Sequence, residues 1–163
     1  WIVRRAGMQD LTTQLSERVW QHIGAEHDGY YIMDPGGAES SSGFTLRDFV
    51  RFGELVRTGG AIESRQIIPA AVIDKVLRGG DQDLFAKAGY KTLPGWSYKS
   101  QWWIRHLADR NCAVARGAHG QVLYVDPANE LVIGRFGSAP KAPSTLLDDI
   151  FLPMLDVITN RLS

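Results

Sequence analysis

Cysteine is almost missing: Cys112 stands alone in 163 residues, so no disulfide can close within the chain, and cytoplasmic and periplasmic addresses stay equally open. Net charge is missing too. Eighteen Lys and Arg offset eighteen Asp and Glu, which leaves no basic field for nucleic acid to read, so no nucleic-acid partner is expected. No apolar run approaches the roughly 20 residues of a bilayer-crossing helix, and no membrane partner is expected either. The four histidines show no metal-ligand spacing. The one suggestive cluster, Glu26-His27-Asp28, reads as a solvated loop, so no metal or other cofactor is expected. Repeats and low-complexity tracts are absent. What remains is 44% apolar and 22% charged, the composition of a globular chain of one domain's size that can bury a core.

Residues 1–99 read as helices joined by loops. Trp1 to Gly7 looks like the end of a helix, with Arg4 and Arg5 at its negative pole and Gly7 as C-cap. A chain seldom starts inside a helix, so a longer parent protein is expected. From Gln9 to Ile23, apolar residues recur at helical spacing until Gly24. Ala25 to Gly43 is a Gly- and Ser-rich loop around Tyr30-Tyr31-Ile32-Met33, and loops of this kind line binding sites. Thr45 reads as the N-cap of a helix that buries Leu46, Phe49, Val50, Phe52, Leu55 and Val56 and stops at Gly59-Gly60. In it Arg47 and Asp48 are read as capping and ion-pairing groups. Pro69 opens a further helix, a short one is expected within 81–89, and 90–99 is a loop turning at Pro94-Gly95.

Residues 100–163 change period. Strands are expected over 100–107, 112–116, 121–125 and 131–136, with the second and third readable as one strand kinked at Gly117 and Gly120. Trp102 and Trp103 must then face opposite sides of the sheet. A final helix follows Pro143, with Ser144 as cap and Pro153 expected to kink or restart it. The stretch Ala115-Arg116-Gly117-Ala118-His119-Gly120-Gln121, running to Asp126-Pro127, has the small residues of a backbone that approaches a ligand and reads as an active-site edge strand entering a hairpin.

Two segments, T-L-R-D-F-V-R-F-G from Thr45 and A-R-G-A-H-G-Q-V-L-Y-V-D-P from Ala115, resemble the serine β-lactamase and penicillin-binding-protein superfamily. The resemblance is to its class C β-lactamase-like branch, and within that to the 6-aminohexanoate-oligomer (nylon-oligomer) hydrolases and related esterases. It implies an α+β fold: the C-terminal part of the β-lactamase/transpeptidase-like domain, an antiparallel sheet packed by a C-terminal helix plus a helical segment. It also implies an acyl-enzyme mechanism acting on small linear amides or short esters.

On this register Ala115-Arg116-Gly117 occupies the family's K-T-G triplet, and the backbone N–H of Ala118 supplies half of an oxyanion hole. Ala115, Arg116, Gly117, His119, Gly120 and Tyr30 are the implied substrate-binding residues, with Gln121 behind them. The family's other signatures are not in the chain. The one S-x-x-K, Ser138 to Lys141, contains Pro140, which disfavours the helical turn that would align the two side chains, and no Y-x-N occurs. Both motifs are therefore expected upstream of residue 1, and the chain alone is expected to be inactive. Its implied partner is the missing N-terminal part, and exposed apolar surface implies association with that part or with a second copy. A non-catalytic binding module of this fold, a β-lactamase or penicillin-binding protein, and an unrelated α+β interaction domain are the alternatives.

Overall fold

The computed structural model describes residues 2–36 and 39–162. Helices α1 (Ile2–Gly7) and α2 (Leu11–Arg18) come first. Asp10 caps α2 by accepting the Thr13 N–H at 2.8 Å. Gly7 lies inside α1, and Met8, with φ 54°, takes the left-handed position expected of Gly7. Any Cβ on Gly7 would collide with the Gln14 side-chain amide, so that glycine serves close packing instead. The helix expected over 9–23 breaks at Val19 (φ −134°) and resumes as a 3-10 turn, Trp20–His22. The loop expected next holds a hairpin, β1 (Tyr30–Met33) against β2 (Glu39–Gly43).

Helix α3 (Leu46–Arg57) starts as expected, with the Thr45 Oγ1 accepting the Asp48 N–H at 3.1 Å. The two-residue strands β3 (Ala61–Ile62) and β4 (Arg65–Gln66) follow, then α4 (Ala70–Leu77) and α5 (Gln82–Ala86), whose N-caps are Pro69 and Asp81. Strands β5 (Ser97–Lys99), β6 (Trp102–His106), β7 (Asn111–Arg116), β8 (Val122–Asp126) and β9 (Leu131–Arg135) complete the sheet. A 3-10 turn, Ser144–Leu147, leads into α6 (Asp148–Leu162). Ser144 caps nothing, because that turn separates it from the helix proper, and α6 runs on through Pro153.

The architecture is α+β. The five strands form an antiparallel meander in sequence order, β5-β6-β7-β8-β9. Strands β7 and β8 are therefore two paired strands, with Arg116 opposite Val122, and not one kinked strand. Neither is an edge: β6 and β9 flank the pair and satisfy its outer hydrogen bonds.

Helices cover both faces of this sheet, so its central strands bury residues of both parities. Cys112, Val114, Val122 and Tyr124 pack with Leu93, Trp96 and, from α6, Phe151 and Leu155. On the other face Ala113, Leu123, Val125 and Ile104 pack with Val56 of α3 and Ile73 and Val76 of α4. Each fully buried aliphatic such as Leu123 contributes roughly 2 kcal/mol of transfer free energy. Trp102 joins the α3 face, where it stacks on Phe52, and Trp103 joins the α6 face. Helix α3 lies directly on β8 and β9 because glycines meet there. A Cβ at Gly53 would fall 2.6 Å from Val132 Cγ1, and one at Gly134 would fall 2.5 Å from Val50 Cγ2.

Candidate active site

Strand β7 carries alternating side chains to opposite faces, and this decides what its glycine-flanked end can present. Arg116 follows Cys112 and Val114 onto the α6 face. Its side chain is 3% exposed, is ion-paired with Asp148 of α6, and lies over the Trp103 ring, 5.2 Å from the centroid. Ala115 faces the other way and packs with the α3-side core. Neither residue lines the cleft beside the β7–β8 turn.

Beyond Arg116 the chain turns through Gly117 to Gln121, a 3-10 turn joining β7 to β8. The Gly117 N–H donates to the Gln121 carbonyl at 2.9 Å and closes it. His119 sits in the left-handed region (φ 59°, ψ 19°), which histidine tolerates better than most residues. Gly120, at φ +88°, is buried against Leu147 and Arg135, where a Cβ would come within 2.7 Å of Leu147 Cδ1. The segment after β9 straps the turn down. His119 N–H donates to the Ala142 carbonyl at 3.0 Å, the Ala139 N–H donates to the His119 carbonyl at 3.0 Å, and the Gln121 side chain bonds both backbone groups of Gly137. Gln121 thus stands behind the turn, holding it.

Within this strapped turn the N–H of Ala118 has no acceptor among the described residues. It sits beside a cleft of about 610 Å³, within the range of small-molecule sites. Gly117, Ala118, His119 and Gln121 form one wall, Glu39, Ser41, Ser42 and Gly43 of β2 another, and Phe44, Phe49 and Phe136 supply apolar surface. A fixed, unpaired N–H at the lip of such a cleft is what stabilising a developing oxyanion requires.

His119 is on the same wall. Its Nδ1 is 2.8 Å from the Ala139 carbonyl, which can only accept, so Nδ1 carries the proton. In the neutral ring Nε2 is then the lone-pair nitrogen, and no described residue bonds it. Of the remaining expected site residues, Gly120 shapes the turn from beneath, and Tyr30 lines a neighbouring pocket instead of the cleft. Among the described residues, no Lys or Arg lines the cleft.

The T-x-R-D segment acts behind the cleft. Asp48 is fully buried and accepts from the Glu26 N–H (2.8 Å), the His27 N–H (3.2 Å), the Thr45 hydroxyl (2.8 Å) and Arg51 Nη1 (2.9 Å). Burial pushes its pKa up, but these donors together overcome that and hold the carboxyl down at about 2. Asp48 thereby ties the 25–28 loop to the start of α3, which places the next residue, Phe49, in the cleft wall. Glu26 is bound in the same cluster by Arg47 and Arg51, and no group of metal-ligating side chains occurs among the described residues.

A second constellation has the form of a nucleophile, base and orienter. Ser97 Oγ is 2.8 Å from His106 Nε2, and His106 Nδ1 is 2.8 Å from Asn111 Oδ1. No contiguous motif announces it, because its members lie on three different strands. Ser97 is 0% exposed, its Oγ takes the Gly80 N–H at 2.9 Å, and Asn111 Nδ2 donates to the Leu77 carbonyl. No carbonyl carbon can approach such a serine. The chain of bonds fastens the end of α4 to the sheet. Cys112 is equally inert, its thiol pushed up by burial to about 11.

No protein-family model matches the chain. It is 29% identical over 144 residues to the 6-aminohexanoate-dimer hydrolase of Paenarthrobacter ureafaciens, covering 86% of this chain and 36% of that protein. A solved structure described as a candidate 6-aminohexanoate-dimer hydrolase from Bacillus anthracis superposes with a TM-score of 0.83 at 28% identity, over 99% of this chain and 41% of its own. The chain thus spans between a third and a half of the length of these relatives. Both of these relatives are named as hydrolases of the 6-aminohexanoate dimer.

Proposed function

We propose that this chain is the oxyanion-hole-bearing, C-terminal part of a serine hydrolase of the class C β-lactamase-like kind, working through an acyl-enzyme on linear amides or short esters of the 6-aminohexanoate-dimer type. The observation that carries the reading is the Ala118 N–H, without an acceptor among the described residues, on a residue that lines the cleft together with His119. As the substrate carbonyl is attacked, charge moves onto its oxygen, and an N–H held by a rigid turn stabilises that charge without first having to reorganise. The nucleophile and its base are supplied by S-x-x-K and tyrosine motifs upstream of Trp1. Serines 41 and 42 line the cleft, but neither is hydrogen-bonded to a basic side chain among the described residues.

Arg116, in the triplet position, is committed to Asp148, so the cation that would hold a β-lactam carboxylate is not offered from that position. A fluorophosphonate probe tests the reading. It is expected to label one serine of the full-length gene product upstream of Trp1 and to leave the 163-residue chain unlabelled. Labelling of a serine within the chain, or no labelling of the full-length product, would overturn it.

A further inference from the structure

We propose that the pocket between α2 and the β1–β2 hairpin is a subsite for an alkylammonium group. It has a volume of about 240 Å³ and is lined by Leu15, Trp20, Asp28, Tyr30, Tyr31 and Phe44, among others. That is below the roughly 300–1,000 Å³ of sites that enclose a whole ligand, and it suits one end group. Four of these six residues are aromatic, and their ring faces attract a cation through the quadrupole. The Trp20 and Phe44 centroids are 4.8 Å apart at a 35° tilt. The indole N–H is already used, donating to the His27 carbonyl at 2.9 Å, so what Trp20 has left to offer is its ring.

The charge on the rim has the matching sign. Asp28 forms no ion pair with any described residue, whereas Glu26 and Asp48 close by are held by Arg47 and Arg51. Among the described residues, no Lys or Arg lines the pocket. Gly29 lets the loop that carries Asp28 into β1 lie against Phe44, since a Cβ there would fall 2.5 Å from the ring. An aromatic enclosure with one free carboxylate favours a cation over a neutral group of the same shape.

Phe44 lines both this pocket and the cleft. A linear ligand whose amide carbonyl sits at Ala118 would lay its methylene chain across Phe44 and present a terminal amine to Asp28. This last placement rests on the hydrolase reading, whereas the ammonium pocket does not. An amide-resolved NMR titration of the chain with hexylammonium chloride and with 1-hexanol tests it.

Hexylammonium is expected to move the Trp20 indole N–H signal and to bind at least fivefold more tightly than the alcohol. Asp28→Asn is expected to bring that ratio within twofold. Tyr30→Leu is expected to weaken the cation at least threefold with the spectrum still dispersed, because Tyr30 is 61% exposed and carries little of the fold. Equal affinity for the two probes, an unchanged ratio in Asp28→Asn, or a stationary Trp20 signal would overturn the proposal. The fluorophosphonate experiment involves neither Asp28 nor Tyr30, so the two readings fail by different signals.

Discussion

Replacing Ala118 by proline deletes one N–H while asking little of the backbone. Gly117 is already extended (φ −108°, ψ 172°), the conformation a following proline prefers, and Ala118 opens the 3-10 turn, where proline is tolerated. In the full-length hydrolase, Ala118→Pro is expected to lower kcat about 10²- to 10³-fold with KM nearly unchanged, as for other lost oxyanion donors. Steady-state kinetics on a p-nitrophenyl ester would show it, and an unaltered kcat would remove Ala118 from the chemistry. Asp48 carries a prediction of another kind. Its carboxyl sits at about 2 in the folded chain against an ordinary 3.8, so it favours folding above 3.8 and loses that contribution as pH falls toward 2. Urea melts across this window should show wild-type stability falling more steeply than that of Asp48→Asn. At neutral pH, Asp48→Ala should cost about 3–5 kcal/mol, because two backbone donors and Arg51 lose their acceptor.

Among the elements, α3 on the β8–β9 pair positions the most. It brings Phe49 to the cleft, and it can lie there because Gly53 has no side chain. Gly53→Ala adds a methyl 2.6 Å from Val132 Cγ1 and 2.8 Å from Leu123 Cδ1. Overpacking of this sort costs about 1–3 kcal/mol, and the better helix propensity of alanine returns at most about 1. A net loss of roughly 1 kcal/mol in chemical denaturation is the expected result, and a gain would mean the helix is free to lift. Helix α3 was legible beforehand, since Thr45, the apolar spacing and Gly59-Gly60 mark both ends. Hairpin β5–β6 was not. Its turn uses Ser100 and Gln101 at φ 50° and 68°, positions where Asn and Gly are the usual markers, so nothing in the residue types announced it. The β1–β2 hairpin was hidden for a related reason: Glu39 to Gly43 has the composition of a loop, and only pairing with Tyr30 to Met33 makes it a strand.

At the scale of the whole molecule, the α6 layer raises the question of what covers its outer surface. Leu146, Ile150, Met154 and Val157 recur at helical spacing and are all exposed, Ile150 to 73%. The chain is expected to associate with itself as concentration rises, with Ile150→Lys restoring the monomer; sedimentation equilibrium measures both, and a wild-type monomer at high concentration would refute it. The site was legible in part for a reason of scale as well. Gly117 to His119 could be found because a short contiguous run carries their geometry, and the family resemblance pointed to that run. The opposite wall comes from β2 and Phe136, which only the tertiary fold brings near, and Arg116 was misplaced because its burial depends on Asp148, far along the chain.

From β6 onward, each strand of the five-stranded meander pairs with its immediate predecessor in sequence. Sheets of this kind close only short loops and form early. The cleft is different, since one of its walls must travel from β2 to meet the turn after β7. A chain emerging from denaturant would therefore regain its protected amides first and its capacity to hold a ligand later, and the interval between the two would measure how long that wall takes to arrive.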